Sequence, residues 1–131
     1  MSSSLQFILI DDSDFDLFLN KEFLQLAGVR GNIESFDSAN NALKFILREG
    51  ESINESIILL DIHMPLMDGF EFLDKFNLFP DYIKKRIKII MVSSTVDERD
   101  LERALSNPFV VDILSKPLNG EKLRAILNKL E

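Results

Sequence analysis

The 131-residue sequence lacks cysteine and tryptophan altogether. The absence of cysteine excludes thiol catalysis, zinc fingers and disulfide scaffolds. No apolar run approaches the roughly 20 residues that a membrane helix needs. The first four residues, Met1 to Ser4, have neither the cationic flank nor the apolar stretch of a signal peptide.

Basic residues are outnumbered 15 to 22 by acidic ones, which gives a net charge of -7. Because phosphate backbones are bound through clustered Lys and Arg, this balance argues against nucleic acid as the main partner.

What the sequence does contain is enough apolar material for a core: 46% of its residues are hydrophobic and 28% are charged. This composition excludes a disordered tail and a collagen-like repeat, and the length fits one domain. Short apolar runs alternate with longer amphipathic stretches, five times over. The runs are Phe7–Ile10, residues 32–36, Ile57–Leu60, Ile87–Val92 and Phe109–Leu114.

Apolar strands that alternate with amphipathic helices predict a parallel sheet covered on both faces. Right-handed crossovers and this chain length favour a doubly wound α/β sandwich of five strands, since a closed eight-fold barrel needs about twice the chain. No repeat, linker or low-complexity segment interrupts the pattern. We therefore expect a single domain over residues 1–131, with its core at about 5–130 and no output domain.

The first helix is expected to begin after Ser13, with Ser13 as N-cap and Asp16 completing an imperfect capping box. Four apolar residues then follow at helical spacing, and we assign them to the buried face. They are Phe15, Leu19, Phe23 and Leu26. Three later helices are expected to start at polar N-caps. These caps are Ser38, Asp97 and Asn119.

Polar residues gather where the predicted strands end. Asp11 and Asp12 follow the first strand, Asp61 ends the third, Ser93 closes the fourth and Lys116 follows the fifth. In the strand order 2-1-3-4-5 the first and third strands are neighbours, so the three acids converge at a place where such sheets bind ligands.

Repulsion within such a carboxylate cluster is usually relieved by a divalent cation, and oxygen ligands suit magnesium or manganese. A lysine supplies positive charge for a phosphate, and an aspartate beside a metal can attack phosphorus to form an acyl phosphate. Singly, each residue fits a plainer role: Asp11 and Asp12 in a loop or cap, Ser93 in a turn, Lys116 on the surface. Their occurrence as one set at strand ends favours a phosphoryl-transfer site.

The segment Asp61–Gly69, with a proline four and a glycine eight residues after the aspartate, makes the pattern specific. Together with the acidic pair, the strand-end serine and Lys116-Pro117, it resembles the receiver domain of two-component response regulators. The resemblance runs from about Leu5 to Leu130. It implies a CheY-like, flavodoxin-like (βα)5 three-layer sandwich in a cytoplasmic protein.

The resemblance also implies roles for individual residues. Asp61 would accept a phosphoryl group from a histidine kinase or a phosphotransfer protein, Ser93 would act as the switch hydroxyl, and Lys116 would pair with the phosphate. The Lys116-Pro117 bond would be cis. The implied ligands of Mg²⁺, or of Mn²⁺ in its place, are Asp11, Asp12, Asp61 and the backbone carbonyl of His63.

Two positions in this pattern remain open. Three residues before the lysine the family usually has Tyr or Phe, which moves inward when the hydroxyl engages phosphate. Here that switch position is Ile113, which cannot make the aromatic residue's polar contact or its full swing. His63, the single histidine, is either a solvent-facing loop residue or a ring that overlooks the phosphate and changes the lifetime of the phosphorylated state.

The resemblance implies a protein that catalyses its own modification and hydrolysis and is not a turnover enzyme. We expect it to signal through a downstream partner protein, as a monomer or weak dimer, without nucleic acid or membrane. One alternative is a phosphorylation-independent interaction module on the same fold. The other is a haloacid-dehalogenase-type phosphatase, whose Asp-x-Asp opening fits Asp12-Ser13-Asp14. That enzyme class needs a late acidic pair, but only Glu121 and Glu131 follow Lys116.

Overall fold

The computed structural model describes residues 5–130. Residues 1–4, where no signal peptide is expected, and residue 131 lie outside the described part. Its strands are β1 (Gln6–Ile10), β2 (Ile33–Phe36), β3 (Ser56–Asp61), β4 (Ile87–Ser93) and β5 (Val110–Ser115). Its helices are α1 (Asp14–Leu26), α2 (Ala39–Glu49), α3 (Gly69–Phe76), α4 (Asp81–Lys84), α5 (Glu98–Leu105) and α6 (Gly120–Lys129). A 3-10 turn, Gly50–Ser52, follows α2.

The five strands form one parallel sheet in the order β2-β1-β3-β4-β5, as predicted. Successive strand residues point to opposite faces. Ile8, Ile58 and Ile89 therefore pack on the side covered by α2, α3 and α5. Their neighbours Phe7 and Ile57 pack on the side covered by α1 and α6. The predicted three-layer sandwich is confirmed. Among residues 5–130, no helix has both the length and the apolar character needed to cross a membrane.

The buried face of α1 matches the predicted apolar stripe only in part: Leu19 is half-buried and Phe23 packs against the core, but the two ends of the stripe are exposed. Phe15 is 68% and Leu26 77% exposed, whereas Leu17, Asn20 and Leu24 lie against the sheet. Both stripes have helical spacing, so periodicity alone cannot choose between them. The angle at which the chain leaves β1 decides which stripe meets the sheet, and that angle is a tertiary property.

The short helix α4 was also not predicted. Its four residues are too few to show a helical period, and it starts at Pro80 without a side-chain cap. Ile83 is buried in the core on the α2, α3 and α5 side of the sheet. Lys84 donates a hydrogen bond to the carbonyl oxygen of Asn77 (2.8 Å) and lies over the ring of Phe109. These contacts attach the connection between α3 and β4 to the amino end of the sheet.

Gly69 opens α3 at a point where the helix approaches the sheet backbone closely. Its N–H donates to the carbonyl oxygen of Ile62 at 2.8 Å. A β-carbon at position 69 would lie 2.8 Å from the backbone oxygen of Asp61 and 2.9 Å from the Cα of Ile62. Only glycine allows this approach without a shift of the backbone that carries Asp61.

We expect Gly69→Ala to destabilise the fold by about 1–3 kcal/mol. The added methyl group would meet backbone atoms of Asp61 and Ile62, which cannot move aside as the end of a flexible side chain could. Gly120→Ala is the matched control: a β-carbon there has no neighbouring atom within 4 Å. It should be neutral or stabilising by up to about 1 kcal/mol, because alanine restricts the unfolded chain. Urea denaturation of both variants measures the difference, and equal stabilities would contradict the packing argument.

Candidate functional site

Three carboxylates meet at the carboxyl end of the sheet. Ile10 pairs with Leu60 in the β1–β3 ladder, so the residues that follow, Asp11 and Asp61, lie side by side. One oxygen each of Asp11, Asp12 and Asp61 lie within 4.8 Å of one another. Asp11 and Asp61 are buried and Asp12 is exposed. The sequence predicted this convergence from strand order alone.

Lys116 brings the positive charge to this group. Its Nζ lies 2.8 Å from Asp11 Oδ2, 2.8 Å from Asp16 Oδ2 and 3.4 Å from Asp61 Oδ1. Its backbone N–H donates to the carbonyl oxygen of Ser93 (2.8 Å), which ties the β5 end to the β4 end. The Lys116-Pro117 bond is cis, as the resemblance implied.

Burial and neighbouring charge change the pKa of both groups at the centre. Burial and, to a smaller extent, the charge of Asp11 raise the pKa of Asp61 to about 6, although Lys116 and a backbone hydrogen bond at His63 oppose the shift. Burial alone would lower the pKa of Lys116, but hydrogen bonds to Asp11 and Asp16 raise it above its usual value. The lysine is therefore charged, and Asp61 is mostly ionised at neutral pH.

Ser93 is fully buried at the end of β4, one residue beyond Val92, which pairs with Asp61. Its hydroxyl donates to the carbonyl oxygen of Thr95 (2.6 Å) and accepts from the N–H of Thr95 (3.1 Å). The hydroxyl thus forms the turn into α5 and is not bonded to Asp61. This contact is the turn role that serine commonly takes.

Ile113 is buried on the same side of the sheet as Met91 and Ala104. The position at which the family usually has an aromatic ring is thus filled by an aliphatic side chain that already packs in the core. His63 is exposed. The next residues of this loop, Met64 and Met67, pack against the core, while Leu66 is fully exposed at a left-handed φ of 69°.

Asp16 is the site residue that sequence reasoning missed. Its N–H donates to Ser13 Oγ, as expected of a capped helix, but its carboxylate does not return to the N–H of Ser13. That N–H instead donates to Asp11 Oδ1 at 2.9 Å. The predicted capping box is therefore incomplete, and the carboxylate of Asp16 bonds Lys116. Its position in the first turn of a helix that begins at the acidic pair was the available signal.

Residues 7–128 match the family described as response regulator receiver domain. The chain belongs to this family. It is a receiver domain of two-component signalling, with the CheY-like fold of that family. Receiver domains act with histidine kinases or phosphotransfer proteins and with downstream effectors, typically bind Mg²⁺, and are generally not turnover enzymes. Membership favours the receiver interpretation over a haloacid-dehalogenase-type phosphatase.

Two solved structures illustrate the likeness. A response regulator receiver protein from Dyadobacter fermentans is 38% identical, with a TM-score of 0.87 over 95% of this chain and 96% of that one. A two-component response regulator from Cytophaga hutchinsonii is 30% identical, with a TM-score of 0.88 over 98% of both chains.

Among sequence relatives, the sensor histidine kinase CheAY of Helicobacter pylori is 28% identical over 93% of this chain. The chain spans 14% of the length of CheAY. It spans 79% of the probable methanogenesis regulatory protein FilR2 of Methanothrix harundinacea, which is 27% identical over 95% of this chain.

The raised pKa of Asp61 predicts a pH-dependent stability. The usual value is 3.8 and the folded value is about 6, so the folded state binds the proton more tightly than the unfolded state does. The carboxylate therefore destabilises the fold increasingly as pH rises from about 4 to about 6, and the penalty is constant above that range. Asp61→Asn should be more stable than the parent above about pH 6 and lose that advantage towards about pH 4. Urea denaturation with a chelator present measures this, and an advantage that is independent of pH would contradict it.

Proposed function

We propose that Asp61 accepts a phosphoryl group in a Mg²⁺-dependent reaction and that the protein then signals through a partner protein. The single observation that carries the proposal is the position of Asp61: a buried carboxylate beside Asp11, with the ammonium of Lys116 at 3.4 Å. A nucleophilic carboxylate needs neighbouring positive charge to receive an anionic group, and this arrangement supplies it.

The proposed donor is a phosphohistidine of a histidine kinase or of a phosphotransfer protein. An ionised oxygen of Asp61 attacks phosphorus, a P–O bond forms, and the P–N bond breaks with its electron pair going to the donor's imidazole. Lys116 remains charged throughout and lies near enough to neutralise charge on the transferred group. Later attack by water on the acyl phosphate returns Asp61 and inorganic phosphate, so the protein modifies itself and is not a turnover enzyme.

The donor set fits a magnesium ion. Asp11, Asp12 and Asp61 offer only oxygen atoms, which Mg²⁺ prefers and Mn²⁺ also accepts, and the exposed side of Asp12 leaves the group open to solvent. We propose these three carboxylates and the backbone carbonyl of His63 as the ligands. When bound, the ion supplies positive charge to the phosphoryl oxygens.

The proposed switch is an exchange of partners at Ser93. The hydroxyl that now donates to Thr95 would instead donate to a phosphoryl oxygen on Asp61, which releases the turn that leads into α5. Ile113 is already buried, so the response does not need a ring that swings inward. The signal would then leave through the loop between β4 and α5. We propose a cytoplasmic protein that is a monomer or weak dimer.

Incubation with acetyl phosphate and Mg²⁺ should add one phosphoryl group to the parent and none to Asp61→Asn, because the amide is not a nucleophile. Intact-mass spectrometry measures the addition. If the parent gains no phosphoryl group and also binds no Mg²⁺ in a titration, the phosphorylation-independent interaction module becomes the better interpretation.

We also expect His63→Ala to slow the hydrolysis of the phosphorylated protein several-fold. The exposed ring follows Asp61 by two residues, where it can hold a water that attacks phosphorus. Tyr82→Ala is the control, since this exposed residue of α4 lies at the opposite end of the sheet. The decay of the phosphorylated species, followed by intact mass after removal of the donor, gives the rate. An unchanged rate would assign His63 to the loop surface alone.

A further inference from the structure

Asp16 contacts the centre of the site, and none of the roles proposed above uses it. We propose that Asp16 is a positioning residue that holds the ammonium of Lys116 while the carboxylates bind a cation, and that it must give up this ammonium when a phosphoryl group arrives. The inference rests on the proposed function, because it concerns the same lysine and the same phosphoacceptor.

The distances show that Lys116 is shared. Its Nζ lies equally close, at 2.8 Å, to Asp11 Oδ2 and Asp16 Oδ2, and at 3.4 Å from Asp61 Oδ1. An ammonium has three donors, so three carboxylates saturate it. The side chain of Asp16 is 30% exposed and that of Lys116 is 19% exposed, so solvent screens this ion pair only partly.

The three carboxylates around Lys116 are not equivalent. Asp11 and Asp61 belong to the group of oxygens that can hold a metal ion, whereas Asp16 does not. A divalent cation on Asp11 and Asp61 would repel the ammonium, which lies 2.8 Å and 3.4 Å from these two carboxylates. Like charges this close interact strongly in a partly buried site. Asp16 then remains as the counter-ion. It should therefore favour cation binding, and it should oppose capture of Lys116 by an anionic group on Asp61.

The local structure explains why Asp16 is free for this task. In a complete capping box its carboxylate would accept from the N–H of Ser13. Asp11 Oδ1 takes that N–H, while Ser13 Oγ fixes the backbone of Asp16 through its N–H (3.2 Å). The cap thus holds the first turn of α1 in place, and the carboxylate of Asp16 bonds the lysine.

Asp16→Asn tests the proposal, with Asp14→Asn as the matched control. Asp14 lies in the same turn and carries the same charge, and among residues 5–130 it forms no ion pair with Lys116. Two titrations are made on each protein: Mg²⁺ alone, and then beryllium fluoride with saturating Mg²⁺. Beryllium fluoride is the anion that activates the receiver domain of DrrB, which has a similar fold. Asp16→Asn should weaken Mg²⁺ binding several-fold and tighten beryllium fluoride binding several-fold, while Asp14→Asn leaves both nearly unchanged.

A second pair of variants separates positioning from a general effect of charge. In a Lys116→Met background, Asp16→Asn should no longer tighten beryllium fluoride binding, because no ammonium is left to release. Asp16→Glu should retain parent-like affinities, since it keeps the charge. If Asp16→Asn behaves like Asp14→Asn, or tightens binding equally without Lys116, the inference is overturned while the proposed function stands. If the parent itself binds neither Mg²⁺ nor beryllium fluoride, the proposed function fails, and this inference fails with it.

Discussion

Repulsion between two buried carboxylates, Asp11 and Asp61, is the constraint on which the rest of the structure depends. The β1–β3 ladder places them side by side, and burial removes the water that would screen them. Lys116, which follows the edge strand β5, offsets this repulsion with its positive charge. Its backbone N–H is hydrogen-bonded to Ser93 at the end of β4, which lies between β3 and β5. The sheet itself therefore forms the site, since β1, β3 and β5 each place one charged side chain at its carboxyl end.

The balance between burial, the charge of Asp11 and the charge of Lys116 also sets the ionisation of Asp61. Because burial and Asp11 raise the pKa of Asp61 to about 6, positive charge added near this carboxylate favours its ionised form. The match over residues 7–128 places the chain among receiver domains, which typically bind Mg²⁺, and its acidic group could hold such an ion. In this chain the ammonium of Lys116 also bonds Asp16, and Ile113 is a buried aliphatic residue.

The sheet and the acidic group could be predicted from sequence because they follow from local rules. An apolar run that stops at an aspartate indicates a buried strand, and parallel strands bring their carboxyl ends together. The buried face of α1 could not be predicted, because Phe15 and Leu17 both fit a helical stripe. The ion pair between Asp16 and Lys116 joins residues 100 positions apart, and no local pattern encodes it. Helix α4 could not be predicted either, because its four residues are too few to show a helical period.

Gly69 has a consequence for how the site can move. The first turn of α3 lies directly on the backbone of Asp61 and Ile62, so a shift of this backbone would have to move the helix as well. The turn at Ser93 and Thr95 is closed by two hydrogen bonds of the Ser93 hydroxyl, and the carbonyl oxygen of Ser93 accepts from the N–H of Lys116. The proposed exchange at Ser93 would therefore release the α5 side of the rim while the α3 side keeps its contacts with the sheet backbone. In the proposed switch, a rearrangement that starts at Asp61 would thus be directed to the α5 side of the molecule.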